Sequence, residues 1–149
     1  MDHMPATGVS GLDLYVREDG KWNWLAVGRP TQFPTNEVTL VQGLSDGLHD
    51  YLLYFPLYNG VQSVDVGIPR GATMTKAPER AGRHKAICFY GTSITQGGCA
   101  SRPGMAYTAI LGRMLDQPTR DLHRAAHSKL ADVVLDDFVG LLKHPELLG

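Results

Sequence analysis

The chain has 149 residues, with 14 Lys and Arg against 15 Asp and Glu, 43% hydrophobic and 19% charged. That balance excludes a nucleic-acid binder working through bulk positive charge, which needs a clustered basic excess, and a disordered chain, which would be poorer in apolar residues. No run approaches the roughly 18 apolar residues that span a bilayer, and two cysteines make neither a disulfide framework nor a zinc site.

Residues 11–68 read as β structure. Leu12, Leu14 and Val16 alternate with Asp13, Tyr15 and Arg17, the period of a strand with one buried face. Asp19-Gly20 is a hairpin turn signal, and Lys21 to Val27 resumes the alternation with Trp22 and Trp24 on one side. Glu37–Val41, Tyr51–Phe55 and Val61–Ile68 are further strands, each bounded by Gly or Pro. Five short strands at regular spacing predict a partial antiparallel β-sandwich over residues 1–68. Residues 69–85, rich in Pro and in Arg and Lys, read as a solvated linker.

At Ala86 the character changes. Ala86-Ile87-Cys88-Phe89-Tyr90 is apolar without alternation, as in a parallel strand buried on both faces. It enters a loop of small residues, Gly91-Thr92-Ser93-Ile94-Thr95-Gln96-Gly97-Gly98. Tyr107, Ile110, Leu111 and Met114 then recur at helical spacing, so Met105–Leu115 reads as an amphipathic helix. Strand, loop and helix open an α/β unit. Pro118 ends it, Asp121–Lys129 is polar and weakly patterned, and Leu130, Val133, Val134, Asp137 and Leu141 suggest a final helix.

Ser93 stands three residues past the buried strand and ahead of a helix. Such a corner fixes a hydroxyl rigidly, its small neighbours let a substrate reach the backbone, and its amides can donate to an oxyanion. The loop shares only its first glycine with the G-x-S-x-G elbow. It is neither a dinucleotide fingerprint nor a phosphate-binding Walker loop. Pattern alone leaves a structural turn and a catalytic serine equally open.

The segment from Phe89 to Tyr107 closely resembles the first sequence block of SGNH, or GDSL-type, hydrolases, with the pattern G-[DT]-S-x-[TS]-x-G. Gly11-Leu12-Asp13-Leu14-Tyr15, together with Tyr51 to Gly60, is similar to the G-x-D-L-Y β-sandwich domain that precedes the hydrolase domain in one branch of that superfamily. The resemblance covers roughly residues 3–118. It implies a fold of mixed β and α/β: a partial sandwich, then the first βα unit of an incomplete flavodoxin-like domain over residues 86–149. It also implies a serine esterase acting on small-molecule esters such as acetyl groups on carbohydrate, with no cofactor, metal, nucleic acid or membrane partner. Ser93 matches the nucleophile, and Gly91, Thr92, Ser93 and Gly97 form its loop, where the serine's own amide helps hold the oxyanion. Thr92 stands where many members carry Asp.

The later blocks of that family are not found. No Gly-x-Asn-Asp appears, every asparagine (Asn23, Asn36, Asn59) precedes Ser93, and no Asp lies three before His123, His127 or His144, so the catalytic His and Asp are unassigned. The 64 residues from Ala86 onward are too few for several βα repeats of about 30 residues each, and the resemblance begins almost at the first residue. The sequence therefore reads as a fragment of weak or no activity. Asp46 and His49 have the Asp-x-x-His spacing, but upstream of Ser93 and in a turn, where a polar hairpin loop is expected. Trp22 and Trp24 are expected to pack across strands. Stacking on a sugar would instead make the chain a non-catalytic carbohydrate-binding module with a vestigial tail. His123 and His127 lack a third metal ligand, although either could serve Ser93 as an improvised base. Cys88, expected buried, and Cys99 read as free thiols, favouring a reducing, cytoplasmic setting.

Overall fold

The computed structural model describes residues 2–77, 85–123 and 139–143. A single-turn helix, α1 (Ala6–Ser10), leads into β1 (Leu12–Glu18), which turns back at once into β2 (Lys21–Gly28). Asp19 and Gly20 take left-handed φ values of 49° and 77°, the geometry that lets a two-residue turn match the twist of its strands. The expected hairpin forms with Glu18 opposite Lys21. One irregularity interrupts it between Leu14 and Tyr15, leaving Leu25 without a partner so that Trp24 falls opposite Tyr15 and Trp22 opposite Arg17.

β3 (His49–Tyr54) pairs antiparallel with the other edge of β1, placing Asp13 opposite Tyr54 and Val16 opposite Tyr51. β4 (Thr73–Lys76) and β7 (Val139–Lys143) extend the sheet to five strands in the order β2-β1-β3-β7-β4, every neighbouring pair antiparallel. The other sheet is parallel: β5 (Ile87–Gly91) pairs with β6 (Thr119–His123), the chain crossing between them through α2 (Ser93–Gln96), a 3-10 turn (Pro103–Met105) and α3 (Tyr107–Leu115). The described residues thus combine an antiparallel sheet with a βαβ unit, mixed β and α/β as expected.

Several local expectations are corrected. Residues 37–41 and 61–68 form no strand among the described residues. Val38 and Leu40 lie against Gly28 instead, so their apolar side chains are used for packing without strand pairing. The segment expected as a bare linker contains β4, while residues 78–84 lie outside the described part. Thr119–His123, where no second strand was expected, forms one, because its backbone completes a ladder with β5 from Ile87–Thr119 to Gly91–His123. Of the expected final helix, residues 130–138 lie outside the described part, and Val139–Lys143 is strand β7, its backbone claimed by β3 and β4.

The largest correction concerns β1. Alternation assigned Leu12, Leu14 and Val16 to a core face and Asp13, Tyr15 and Arg17 to solvent. Yet Asp13 is 0% and Tyr15 3% exposed, alongside Val16 at 4%. β1 is an interior strand paired along both edges, and the face carrying Asp13 and Tyr15 is covered by the βαβ unit, while Leu12 and Leu14 on the other face are only half-buried. The opposite holds for β5. Phe89 packs edge-on against Tyr107 of α3, with ring centroids 5.7 Å apart, but Cys88 is exposed and Tyr90 is 79% exposed. A parallel strand is buried on both faces only when helices cover both. Among the described residues only the α3 face is covered.

Candidate active site

β5 delivers the chain to a corner at Gly91. Thr92 is the extended residue before α2, and Ser93 is the first residue of that single turn. Gly91 approaches the Thr95 side chain so closely that any Cβ there would overlap it. The turn ends at Gly97, whose φ of 75° is left-handed and whose amide donates to the carbonyls of Ser93 (3.2 Å) and Ile94 (3.1 Å). Such an end favours glycine because other side chains collide with their own backbone at positive φ. The result exposes Thr92, Ser93 and Ile94, with Ile94 at 86%. Ser93 therefore presents its hydroxyl to solvent at the carboxyl end of a parallel strand, the end where α/β proteins bind ligands. The amides of a helix's first turn have no intrahelical acceptor and can bind an anion.

Beyond Gly97 the chain runs along the antiparallel sheet. The Gln96 side-chain amide donates to the Leu57 carbonyl, Gly98 packs on Tyr58 and Met4, and the Thr7 hydroxyl donates to the Ser101 carbonyl at 2.6 Å. The route then meets Asp13. One carboxylate oxygen accepts the Gly104 amide at 2.8 Å. The other accepts the Trp24 indole N–H at 2.9 Å and lies 3.3 Å from Arg102 Nε. Arg102 stacks over Trp24, 4.6 Å from the ring centroid. Arg113 of α3 stacks over Tyr15 at 4.1 Å and donates to the Gly104 carbonyl at 2.7 Å. Arg17 reaches Asp116 at 3.3 Å, and the Tyr54 hydroxyl donates to the Ala109 carbonyl at 3.4 Å. Asp13, Tyr15 and Arg17 share one face of β1 by the strand's two-residue period, and together they carry the contact.

Burial pushes the Asp13 carboxyl above its ordinary value, opposed by the Gly104 amide, Arg102, the Trp24 indole and Arg113. Burial likewise raises Tyr15 and Tyr54, against the pull of Arg113 on each. Both phenols are neutral near pH 7, so neither serves there as a ready base.

The residues singled out from sequence fall in three places. Gly91, Thr92, Ser93 and Gly97 lie together at the β5–α2 corner. His123 ends β6, in register with Gly91, so the topology brings its backbone to the same sheet edge, while His127 lies outside the described residues. His49 is elsewhere: its Nε2 meets the Ser45 carbonyl of its own turn at 2.9 Å. It starts β3, whereas Tyr54, which contacts α3, ends that strand roughly 16 Å away at about 3.3 Å per residue. The polar-loop expectation for Asp46 and His49 fits this geometry. Trp22 and Trp24 each have a guanidinium on the ring, Arg17 at 5.6 Å and Arg102 at 4.6 Å, so a sugar platform would compete with contacts already made. Cys88 and Cys99 are free thiols. No group of three or more His, Cys, Asp or Glu among the described residues is arranged to hold a metal, and none of their helices is long and apolar enough to cross a membrane.

Sequence reasoning missed Asp13, Arg102, Gly104 and Arg113 as a connected group. The available signal was a carboxylate and a phenol two residues apart, set among the apolar Leu12, Leu14 and Val16 of β1.

The described residues thus join a parallel βαβ unit with a small-residue corner to an antiparallel sheet through a buried G-x-D-L-Y strand. Residues 1–74 match the family described as the N-terminus of SGNH hydrolase-type esterases, and residues 84–140 match the GDSL-like lipase/acylhydrolase family. The chain belongs to the SGNH/GDSL-type hydrolases, in the branch carrying the G-x-D-L-Y N-terminal domain. Among solved structures it is similar to a protein of Bacteroides ovatus described as a GDSL-like lipase, at 34% identity and a TM-score of 0.66. The match covers 85% of this chain and 37% of that one. No curated protein matches the chain.

Proposed function

We propose that this chain carries the nucleophile of a serine esterase, with Ser93 attacking the carbonyl carbon of a small acyl ester. The Ser93 Oγ–carbon bond forms as the hydroxyl proton leaves to a base. The tetrahedral oxyanion is held by the Ser93 amide, the carbon–oxygen bond to the alcohol breaks with that alcohol taking a proton, and water then hydrolyses the acyl-serine. Acetyl groups on carbohydrate are the substrate class suggested by the family resemblance. The observation that carries this reading is the exposed Ser93 at the first turn of α2, on a corner whose shape is dictated by Gly91 and Gly97.

The chain alone is expected to turn over slowly. A serine hydroxyl is a weak nucleophile at neutral pH without an adjacent base, and among the residues whose side chains are described no imidazole or carboxylate is bonded to Ser93. His123, brought to the same edge by β6, is the residue to test as a partner. A fluorophosphonate probe should label the chain over hours at Ser93, located by peptide mass spectrometry, and labelling should vanish in Ser93→Ala. Slow p-nitrophenyl acetate hydrolysis should vanish with it. Rapid turnover that survives Ser93→Ala, or labelling at another residue, would overturn the assignment. A further loss of labelling in His123→Ala would identify the base.

A further inference from the structure

We propose that Asp13 and Tyr15 are positioning residues for Ser93: the face of β1 clamps the segment leaving the nucleophile turn and thereby fixes the orientation of that turn. The inference rests on Ser93 being the nucleophile.

The turn cannot orient itself. α2 is four residues long, far below the length at which a helix is stable in isolation, and the segment that follows contains Gly97, Gly98 and Gly104, which carry the highest conformational entropy. Its internal backbone bonds close only local turns, such as Ala100 to Gly97 at 2.9 Å and Met105 to Arg102 at 2.9 Å. Its longer-range ties run to the N-terminal region. They fall at Gln96 (to Leu57), Gly98 (Tyr58), Ala100 (whose carbonyl abuts Gly8), Ser101 (Thr7), Arg102 and Gly104 (both Asp13). Between Gln96 and Gly104 no more than one consecutive residue is left without such a tie.

Asp13 is the most constrained member. It is fully buried and binds the segment at two positions two residues apart, while Trp24 holds its second oxygen from behind. Tyr15 closes the other side. A Cβ on Gly104 would overlap the Tyr15 ring and come within 2.7 Å of both the Tyr15 hydroxyl and Asp13 Oδ2. Stability alone would be served by apolar residues at such a place, since a buried charge is costly and replacing a buried ion pair by packed apolar groups is often neutral or stabilising. What a carboxylate adds is direction: its two oxygens accept only from donors placed correctly, so the Gly104 amide is fixed opposite the Trp24 indole, and the Arg102 guanidinium is drawn to the same carboxylate as an ion pair. With β5 gripping the turn at Gly91 and Asp13 gripping the segment that leaves it at Arg102 and Gly104, Ser93 is held from both sides.

The test uses the full chain and the fluorophosphonate probe, separating the maximal labelling rate, kinact, from probe affinity, KI. Asp13→Asn should lower kinact about tenfold, the scale on which small misplacements reduce reaction rates, with KI unchanged. Amide hydrogen exchange in peptides spanning 92–105 should rise while that of β5 and β6 stays at wild-type level. Arg102→Gln, which leaves β1 intact, should move both readouts in the same direction by about threefold and keeps the test decisive if Asp13→Asn does not fold. Asp19→Asn, at the hairpin turn, should change neither readout. A folded Asp13→Asn or Arg102→Gln chain with wild-type kinact would overturn the positioning role. Absence of any Ser93 labelling in the wild-type chain would instead remove the nucleophile reading and the positioning role with it, leaving exchange to report whether the clamp exists by itself.

Discussion

Asp13 and Ser93 each sit in a sequence signature of the family, and the fold treats them oppositely. Asp13 is an ionisable side chain sealed between two parts of the molecule with every oxygen engaged. Ser93 is a small hydroxyl displayed to solvent at a bare corner. Under the proposed function the first is there for holding and the second for reacting, and burial separates the two uses. A buried carboxylate with matched donors is costly to disturb, whereas an exposed serine hydroxyl contributes almost nothing to stability.

That contrast can be broken by mutation, and the largest effect is expected at Asp13. Asp13→Ala leaves the Trp24 N–H and the Gly104 amide without their acceptor and the Arg102 guanidinium without its ion-pair partner. It should cost about 4 kcal/mol in chemical denaturation, the range for removing one partner of a buried pair. Gly104→Ala should cost about 2 kcal/mol by overpacking against Tyr15 and Asp13, read from the same denaturation midpoint. Trp24→Phe keeps the ring under Arg102 and removes one donor to Asp13, so a loss of about 1 kcal/mol is expected.

A smaller effect should appear in pH dependence. Burial raises the folded-state value of Asp13 above its ordinary 3.8. Its contribution is therefore fully present below the unfolded value and is lost as pH rises through the folded one. The stability of wild type relative to Asp13→Asn should accordingly be greater near about pH 4 than near about pH 8, measured by denaturation at each pH. A relative stability that instead grew with pH would mean that the donors around the carboxylate outweigh its burial. The smallest effect belongs to Ser93→Ala, which should leave the denaturation midpoint unchanged while abolishing probe labelling. A destabilised Ser93→Ala chain would erase the distinction between the two residues.

Legibility followed the range of the forces involved. The Asp19-Gly20 hairpin was readable because a two-residue turn with positive φ has few chemical solutions. The helix after Pro103 was readable from Tyr107, Ile110, Leu111 and Met114, though its first residues form a separate 3-10 turn. β6 was not readable: Thr-Arg-Asp-Leu-His has no strand pattern, and only the ladder to β5 makes it one. Residues 37–41 erred the other way, with a strand-like pattern and no partner. Strand propensity reports fit to a half-buried surface more than any intrinsic backbone preference, so pairing overrode it in both directions. The strand end and the small-residue turn around Ser93 were legible because both are local signals, but the segment read as a loop contains the helical turn Ser93–Gln96, which is too short to leave a periodic pattern. The cluster at Asp13 was not legible, because its partners are roughly ninety residues away in sequence.

By itself the sequence determined the antiparallel hairpin, the apolar strand leading to Ser93, the corner that follows it, and the family both segments resemble. These depend on turn chemistry and on periodicities within a few residues. Only the tertiary structure decided which face of β1 is covered, that Asp13 is a buried acceptor and not a solvated acid, and that Cys88 and Tyr90 stand exposed. Alternation can assign a residue to one side of a strand, but whether that side meets water depends on what the rest of the chain lays against it.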